Sequence, residues 1–361
     1  MSYDVRILLL ADSHLGFDLP AQTRITRRRR GHDFVANYHA AIRPALDGEV
    51  DLMVHAGDVF DRPTVLPSIA YQAYEPLRRV ADRGVPVFVV PGNHERSRLP
   101  HARLASHHRI HVFDRARTFI TATTGGSIGL SGFPYERRDV RTKFAERLEE
   151  TRWRDEAATI RLLCLHHCFE GATVGPADFV FTTASDVIRA RDIPCAFAAV
   201  FSGHIHRHQT LTRDLARRPL DTPVFYPGSI ERTAFAEMGE PKGFMFVDVS
   251  ESEGDVDVRW EFRRLPTRPM VLETLNADTV DARRLAPAIH AIVSAAPIDA
   301  VLTIRIEGAL TEAHWRALSA ARVREFAPET MNVELRPVAE FVHRERRRTA
   351  ASEPSAQLSF C

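Results

Sequence analysis

Asp, Asn and His side chains recur in this chain at the ends of short apolar runs. Val5 to Ala11 leads into Asp12 and His14, Val50 to Val54 into Asp58, Val85 to Val90 into Asn93 and His94, Leu162 to Leu165 into His166, and Ala196 to Phe201 into His204 and His206. His204 and His206, two positions apart, share one face of an extended segment. Asp, Asn and His without thiolate make a mixed oxygen and nitrogen donor set, suited to Mn²⁺, Fe²⁺ or Zn²⁺ rather than to Ca²⁺. Asp12, His14, Asp58, Asn93, His166, His204 and His206 are more ligands than one ion uses. Two dications about 3.5 to 4 Å apart, sharing one carboxylate, would use them all and could grip the attacking and leaving oxygens of a phosphoryl transfer. Water on such ions ionises near neutral pH, so phosphoester hydrolysis would need no Ser, Cys or Asp nucleophile.

The elements that must position these groups read as α/β. Five hydrophobic strands deliver polar residues to what reads as one edge of a sheet, the carboxyl edge where open α/β sheets hold ligands. Between the strands, Phe34, Tyr38, Ile42 and Leu46 mark one face of a helix interrupted at Pro44, and a second helix spans about Pro67 to Arg83, stopped by Gly84. Phe113 to Pro134 reads as short strands and turns, and Lys143 to Arg154 as a charged surface helix. Thr222 to Tyr226 is a further strand, and Gly243 to Val249 pairs with Val256 to Phe262 as a hairpin. In the run around His166, strand alternation would turn Cys164, His166 and Cys168 one way and His167 the other, a spacing that fits no closed four-ligand zinc pattern. Arg263 to Arg268 is the expected linker, dividing a first domain, 1–265, from a βαβαβ module, 266–340, that carries no ligand-like cluster; the basic and then polar tail, 341–361, is expected to be disordered after about Arg348.

At 361 residues and 44% hydrophobic content, the chain can bury a sizeable core. No apolar run approaches the roughly 20 residues of a membrane helix, and Met1 to Leu10 lacks a cationic start and a cleavage site, so a cytoplasmic protein without membrane contact is expected. Cys164, Cys168, Cys195 and Cys361 show no framework spacing and read as reduced thiols. Lys+Arg 48 against Asp+Glu 47 gives no global field for a polyanion, so any such site must be local; Arg24 and Arg27, Arg28, Arg29 and Arg30 form the clearest cluster, with a solvated loop as the plainer reading.

In this order, Asp12-x-His14, Gly57-Asp58, Gly92-Asn93-His94-Glu95, His166 and Gly203-His204-Ile205-His206 resemble the five motifs of the calcineurin-like metallophosphoesterases. More narrowly, Asp12 to Gly16, Gly57 to Asp61, Gly203 to His206 with Gln209, and Tyr226 to Ile230 resemble the SbcD-type DNA nuclease components of double-strand-break repair complexes, from Val5 to about Phe246. The resemblance implies an α/β fold in which two packed mixed sheets form a β-sandwich flanked by helices, with a small α+β C-terminal capping domain. It implies that Asp12, His14, Asp58 and His206 hold one ion and Asp58, Asn93, His166 and His204 the other, with Asp58 as the bridge and Mn²⁺ as the usual metal. His94 would stabilise charge on the phosphate or protonate the leaving oxygen without binding metal.

As substrate the resemblance implies DNA, cut as an exonuclease or endonuclease; phosphodiesterase or phosphatase action on nucleotides or other small phosphoesters is the alternative. A scaffold without catalysis would be expected to lose ligands or His94, and none is lost. An SbcC-type coiled-coil ATPase is the implied partner, or none, and a homodimer is compatible with it. Contact through the tail is not expected; the capping helix, about Thr311 to Phe326, offers Trp315, Leu318, Val323 and Phe326, unless these pack on the module's own strands. The chain departs from the family pattern at Glu95, where Asp is commoner, in its short tail, and at Asp61, a candidate catalytic residue where some members place a second catalytic His, which bears on exonuclease action, although bacterial members often share an Asp there.

Overall fold

Residues 5–19, 27–123, 126–318, 323 and 325–338 are described by a computed structural model. Strand Val5–Leu10 is apolar on both faces beyond Arg6, because both are covered: Ile7 and Leu9 enter one core, Leu8 and Leu10 another. Around it lies a six-stranded sheet in the order Asp255–Arg264, Gly243–Ser252, Val5–Leu10, Leu52–His55, Val87–Val89, Ile110–Val112. Its last four strands are parallel and the first two join antiparallel. A second six-stranded sheet runs Gln209–Arg213, Pro219–Tyr226, Ala199–Ser202, Ile160–Leu165, Gly126–Gly132, Arg117–Thr123, with parallel strands at its centre and an antiparallel strand at each edge.

Between the two mixed sheets, Leu9, Val54 and Phe88 of the first meet Leu130, Leu162 and Phe201 of the second. On the outer face of the first sheet, helices Arg30–Leu46 and Pro67–Asp82 bury Phe34, Tyr38, Tyr74 and Leu77. Helix Val140–Glu150 covers the second through Val140, Phe144 and Leu148. The result is an α/β sandwich, as the resemblance implies.

The structure corrects the single sheet edge. Three of the five ligand-bearing strands belong to the first sheet and two, Ile160–Leu165 and Ala199–Ser202, to the second. A short apolar run carries no mark of the sheet it joins, since both faces are buried in either. Nor does Pro44 interrupt the first helix, which continues to Leu46. The carbonyl that Pro44 leaves unbonded is that of Ala40, on the exposed side, where water can take it. The third helix starts earlier than its charge pattern indicated because Val140 is one of its packing residues. Cys164 lies in the inter-sheet core and Cys168 in the outer one, so the two thiols do not share a face.

The chain divides after Met270. Pro266 and Arg268, in the expected linker, are tied into the first unit: the Pro266 carbonyl accepts from Asn37 at 3.0 Å, and buried Arg268 pairs with Asp33 at 2.7 Å. The second unit has a three-stranded sheet, Met270–Asn276, Val301–Glu307 and Asn332–Pro337, and helices Ala282–Ala295 and Glu312–Ala317. Val323 is buried in its core, Leu318 and Phe326 pack against that core, and Trp315 is 36% exposed. The expected disordered tail lies outside the described residues. Among the described residues no helix is long and apolar enough to cross a membrane.

Phe88 is fully buried between the sheets, its ring stacked on His111 at 4.9 Å. Phe88→Ala should lower stability by about 3 to 5 kcal/mol, read from urea unfolding of the two proteins.

Candidate metal centre

Three of the five ligand-bearing strands end in ligands with left-handed backbone. Asp12, His14, Asp58 and His204 all take positive φ, at 51°, 42°, 53° and 77°. Such conformations strain residues with a β-carbon and persist where surrounding bonds impose them. Here the Asp12 and His14 amides donate to the Gly57 and Asp58 carbonyls at 2.9 and 3.0 Å, and the His204 amide donates to Asp12 Oδ1 at 3.0 Å. Two glycines make room for the convergence. A β-carbon at Gly92 would stand 2.1 Å from Asp58 Oδ1, and one at Gly57, whose φ is 102°, would stand 2.2 Å from His166 Nδ1.

All seven expected ligands come together. His14 Nε2 and His206 Nε2 are 3.0 Å apart; Asn93 Oδ1 is 3.0 Å from His166 Nε2 and 2.8 Å from His204 Nδ1; His166 Nε2 is 3.2 Å from Asp58 Oδ2. Ligand atoms of Asp12, His14 and His206 lie within 4.8 Å of one another, as do those of Asp12, Asp58 and His166 and those of His14, Asp58 and His94. Asp12 Oδ2 and His14 Nδ1 are buried without a hydrogen-bond partner. Buried polar atoms are rarely left so. Unpartnered carboxylate oxygen and converging imidazole nitrogens are a donor set that fits divalent cations.

The electrostatics agree. Burial pushes the Asp12 carboxyl up. Burial also acts to raise Asp58, but the imidazoles around it, His166 first, outweigh that and hold it far below the usual range. Burial acts to lower His166, yet Asp58 carries it up to about 9. His14 and His204 are lowered, His204 to about 3, by burial and by the neighbouring imidazoles. His166 and Asp58, 3.2 Å apart, thus each favour the other's charged form.

His94 differs from the seven, being 39% exposed in its side chain. Its amide donates to Asp58 Oδ1 at 2.9 Å, and its Nδ1 lies 2.7 Å from the Asp61 carbonyl, which can only accept. Nδ1 therefore carries the hydrogen. The Asp61 carboxylate stands behind, 3.8 Å from His14 Nδ1 and 3.5 Å from Arg62 Nε. Glu95 accepts from the Phe60 amide at 2.9 Å and the Gly92 amide at 2.7 Å, joining the Asp58 and Asn93 loops.

In the arginine cluster, Arg28 pairs with Asp33 at 2.5 Å and Arg29 with Asp18; Arg30 bonds the Arg232 carbonyl and lies over the rings of Phe17 and Phe34. These guanidiniums are engaged within the fold. Arg27 also has a partner, and Arg24 lies outside the described residues.

Sequence reasoning missed the groups behind the ligands. Glu237 Oε1 is 3.1 Å from His206 Nδ1 and Lys242 Nζ is 2.7 Å from Glu237 Oε2. Tyr135 stacks on His167 at 5.0 Å with its ring 5.5 Å from that of His204. His55 Nε2 is 2.8 Å from Ser13 Oγ, bracing the Asp12 loop. The Tyr226 to Ile230 run was the one signal that led toward Glu237.

The calcineurin-like phosphoesterase family model matches residues 5–208. The DNA double-strand break repair protein Mre11 of Thermoplasma acidophilum is 24% identical over 277 residues, covering 74% of this chain and 68% of that one. The SbcD component of the SbcCD nuclease of Bacillus subtilis is 28% identical over 280 residues, covering 69% and 67%. Mre11 of Haloferax volcanii is 30% identical over 266 residues, covering 73% and 53%, so this chain spans about half of that relative.

Burial, and then the charge of His166, lowers His55 to about 3, whereas an unfolded chain protonates this ring near pH 6.5. The stability that neutral His55 confers is complete above about 6.5 and is lost as pH falls toward 3, because the unfolded state then binds the extra proton. His55→Gln should flatten the fall in urea midpoint across that window; an unchanged slope would assign the acid sensitivity to other groups.

Proposed function

The chain belongs to the calcineurin-like phosphoesterase family and is on that ground a phosphoester hydrolase; we propose that it is a two-metal phosphodiesterase acting on DNA, with Mn²⁺ as its ion. The observation that carries this reading is the convergence of strand ends from two sheets on the paired carboxylates of Asp12 and Asp58. Asp12, His14, Asp58 and His206 would hold one ion, and Asp58, Asn93, His166 and His204 the other. When bound, such ions polarise the phosphoryl group and lower the pKa of water.

The chain's own residues do the rest. With Nδ1 spent on the Asp61 carbonyl, His94 presents Nε2 to the substrate from the least buried position in the cluster, where it can stabilise phosphate charge or protonate the leaving oxygen. Asp61 acts through its backbone and as a neighbour of His14 rather than as a proton carrier. Burial of the ligands keeps water from screening their charges.

DNA as substrate is supported by the relatives, which by name are break-repair proteins and a nuclease component. Internal pairing of Arg28 and Arg29 supports a second reading, hydrolysis of small phosphoesters, since those guanidiniums would have to serve a phosphate alongside their own carboxylates. Contact with an SbcC-type ATPase, where it occurs, is placed on the second unit as a capping domain, whose Trp315 is the exposed member of its apolar set. The address proposed is cytoplasmic.

Purified protein with Mn²⁺ should cut duplex ends or single-stranded DNA; turnover of a chromogenic diester with both DNAs untouched would move the assignment to the second reading. Asp58→Asn should abolish hydrolysis and weaken both ions, because it removes charge between two dications; full activity with near-stoichiometric metal would overturn the two-metal assignment. His94→Ala should retain both ions and lose on the order of 100-fold or more in rate, so metal content and rate should separate.

A further inference from the structure

The site imidazoles are held from behind in different ways. His166 and His94 turn Nδ1 to backbone carbonyls, those of Ala56 and Asp61, each at 2.7 Å. His204 Nδ1 faces Asn93, and His14 Nδ1 is without a hydrogen bond. Among the described site imidazoles, His206 is the one whose Nδ1 lies within hydrogen-bond distance of a carboxylate, Glu237 Oε1 at 3.1 Å.

That carboxylate is itself fixed. Thr233 Oγ1 donates to Glu237 Oε1 at 2.6 Å, and Lys242 Nζ pairs with Oε2 at 2.7 Å. The Lys242 side chain is 0% exposed, and its ammonium also meets Glu240 Oε2 at 3.2 Å and donates to the His206 carbonyl at 2.9 Å. One buried cation thus grips both the carboxylate behind the ring and the backbone that carries the ring. Ser229 donates its amide to the same His206 carbonyl at 3.1 Å. The segment from Ser229 to Lys242 therefore holds both the backbone carbonyl and the ring Nδ1 of His206.

We propose that Glu237 is a positioning residue that fixes the ring orientation and tautomer of His206, and through it the affinity of one of the two metal positions, the one served by Asp12, His14 and His206. The inference rests on the two-metal reading. A carboxylate behind a metal-binding histidine keeps the hydrogen on the far nitrogen and makes the near one a better donor; loss of such a group costs about 10- to 100-fold in metal affinity or activity. The two positions are then unequal: one is backed by a carboxylate, the other by a peptide carbonyl at His166.

The test is stepwise Mn²⁺ binding to the full chain without substrate, by calorimetry with electron paramagnetic resonance of free Mn²⁺, on wild type, Glu237→Ala and Glu237→Gln. In Glu237→Ala one binding step should weaken about 10- to 100-fold while the other stays within about threefold. Glu237→Gln, which keeps an acceptor for Nδ1–H, should restore part of the loss. Thermal unfolding of the metal-free proteins gives the fold's own response. Equal weakening of both steps, or no weakening of either, overturns the inference. Thr233 Oγ1 stands 3.2 Å from His206 Nδ1 as well as bonding Glu237, so a change there would not isolate the carboxylate. Should Glu237→Ala fail to fold, Glu237→Asp, which keeps the charge and draws it back from His206 Nδ1, should weaken the same single step, and unchanged binding there overturns the inference as well. A wild type that takes up one ion removes the two-metal reading, and Glu237 is then judged on that ion alone: weakened binding in Glu237→Ala supports it and unchanged binding overturns it.

Discussion

Two buried carboxylates set the terms for this structure. Asp12 and Asp58 are taken from water at the meeting of two sheets, and ionised carboxylates there are strongly disfavoured unless positive charge stands beside them. The fold answers with imidazoles: His166 is driven up to about 9 by Asp58 against the opposing effect of burial. His14 and His204, without so close a carboxylate, are driven the other way. A cluster that places acid against base so tightly is organised for added positive charge. Asp12 Oδ2, buried and unbonded, is the plainest sign of this.

The sandwich makes that cluster possible because neither sheet holds enough of it. Asp12, His14, Asp58 and Asn93 come from the first sheet, His166, His204 and His206 from the second, and the inter-sheet core of Leu9, Val54, Phe88, Leu162 and Phe201 fixes the spacing between them. Well-packed cores resist displacement. The positive φ angles at four of the ligands are sustained by bonds between the loops themselves, such as His204 to Asp12 across the two sheets. Strain is thus stored where the chemistry is and held by the layers beneath it.

Much of this was legible in the residues, and the limits have physical reasons. Strand ends carrying Asp, Asn and His could be read because a buried strand is a local pattern and a polar residue at its end stands out. Which sheet a strand joins is decided by pairing with segments far along the chain, as when Ile160–Leu165 takes Gly126–Gly132 and Ala199–Ser202 as neighbours. The Arg27 to Arg30 cluster read as a charged loop because its partners, Asp18 and Asp33, look like any surface acids until the helix Arg30–Leu46 brings them near. Glu237 is 31 residues from the imidazole it supports and Lys242 is 36 residues from the carbonyl it holds, with no periodicity to connect them. Outer groups act through geometry, and geometry is what a linear pattern does not carry.

The departure at position 61 can be argued in the same terms. A second histidine there would add an imidazole to a cluster already crowded with them. Asp61 adds a carboxylate that burial pushes up, beside His94 and Arg62. What His94 needs from this position, however, is the backbone carbonyl, 2.7 Å from its Nδ1. A carbonyl is present whatever side chain position 61 bears. The orientation of His94 is therefore independent of the residue type at 61, provided the Val59 to Asp61 backbone keeps its course. That course is set by Leu15, whose amide donates to the Val59 carbonyl and whose carbonyl accepts from the Asp61 amide, and by Glu95, which takes the Phe60 amide. Glu95 binds the Gly92 amide through its other oxygen, so one buried side chain holds the loop that orients His94 and the turn that carries it. Asp61 and Glu95 leave His94 oriented by backbone and by a carboxylate with the reach to span both loops.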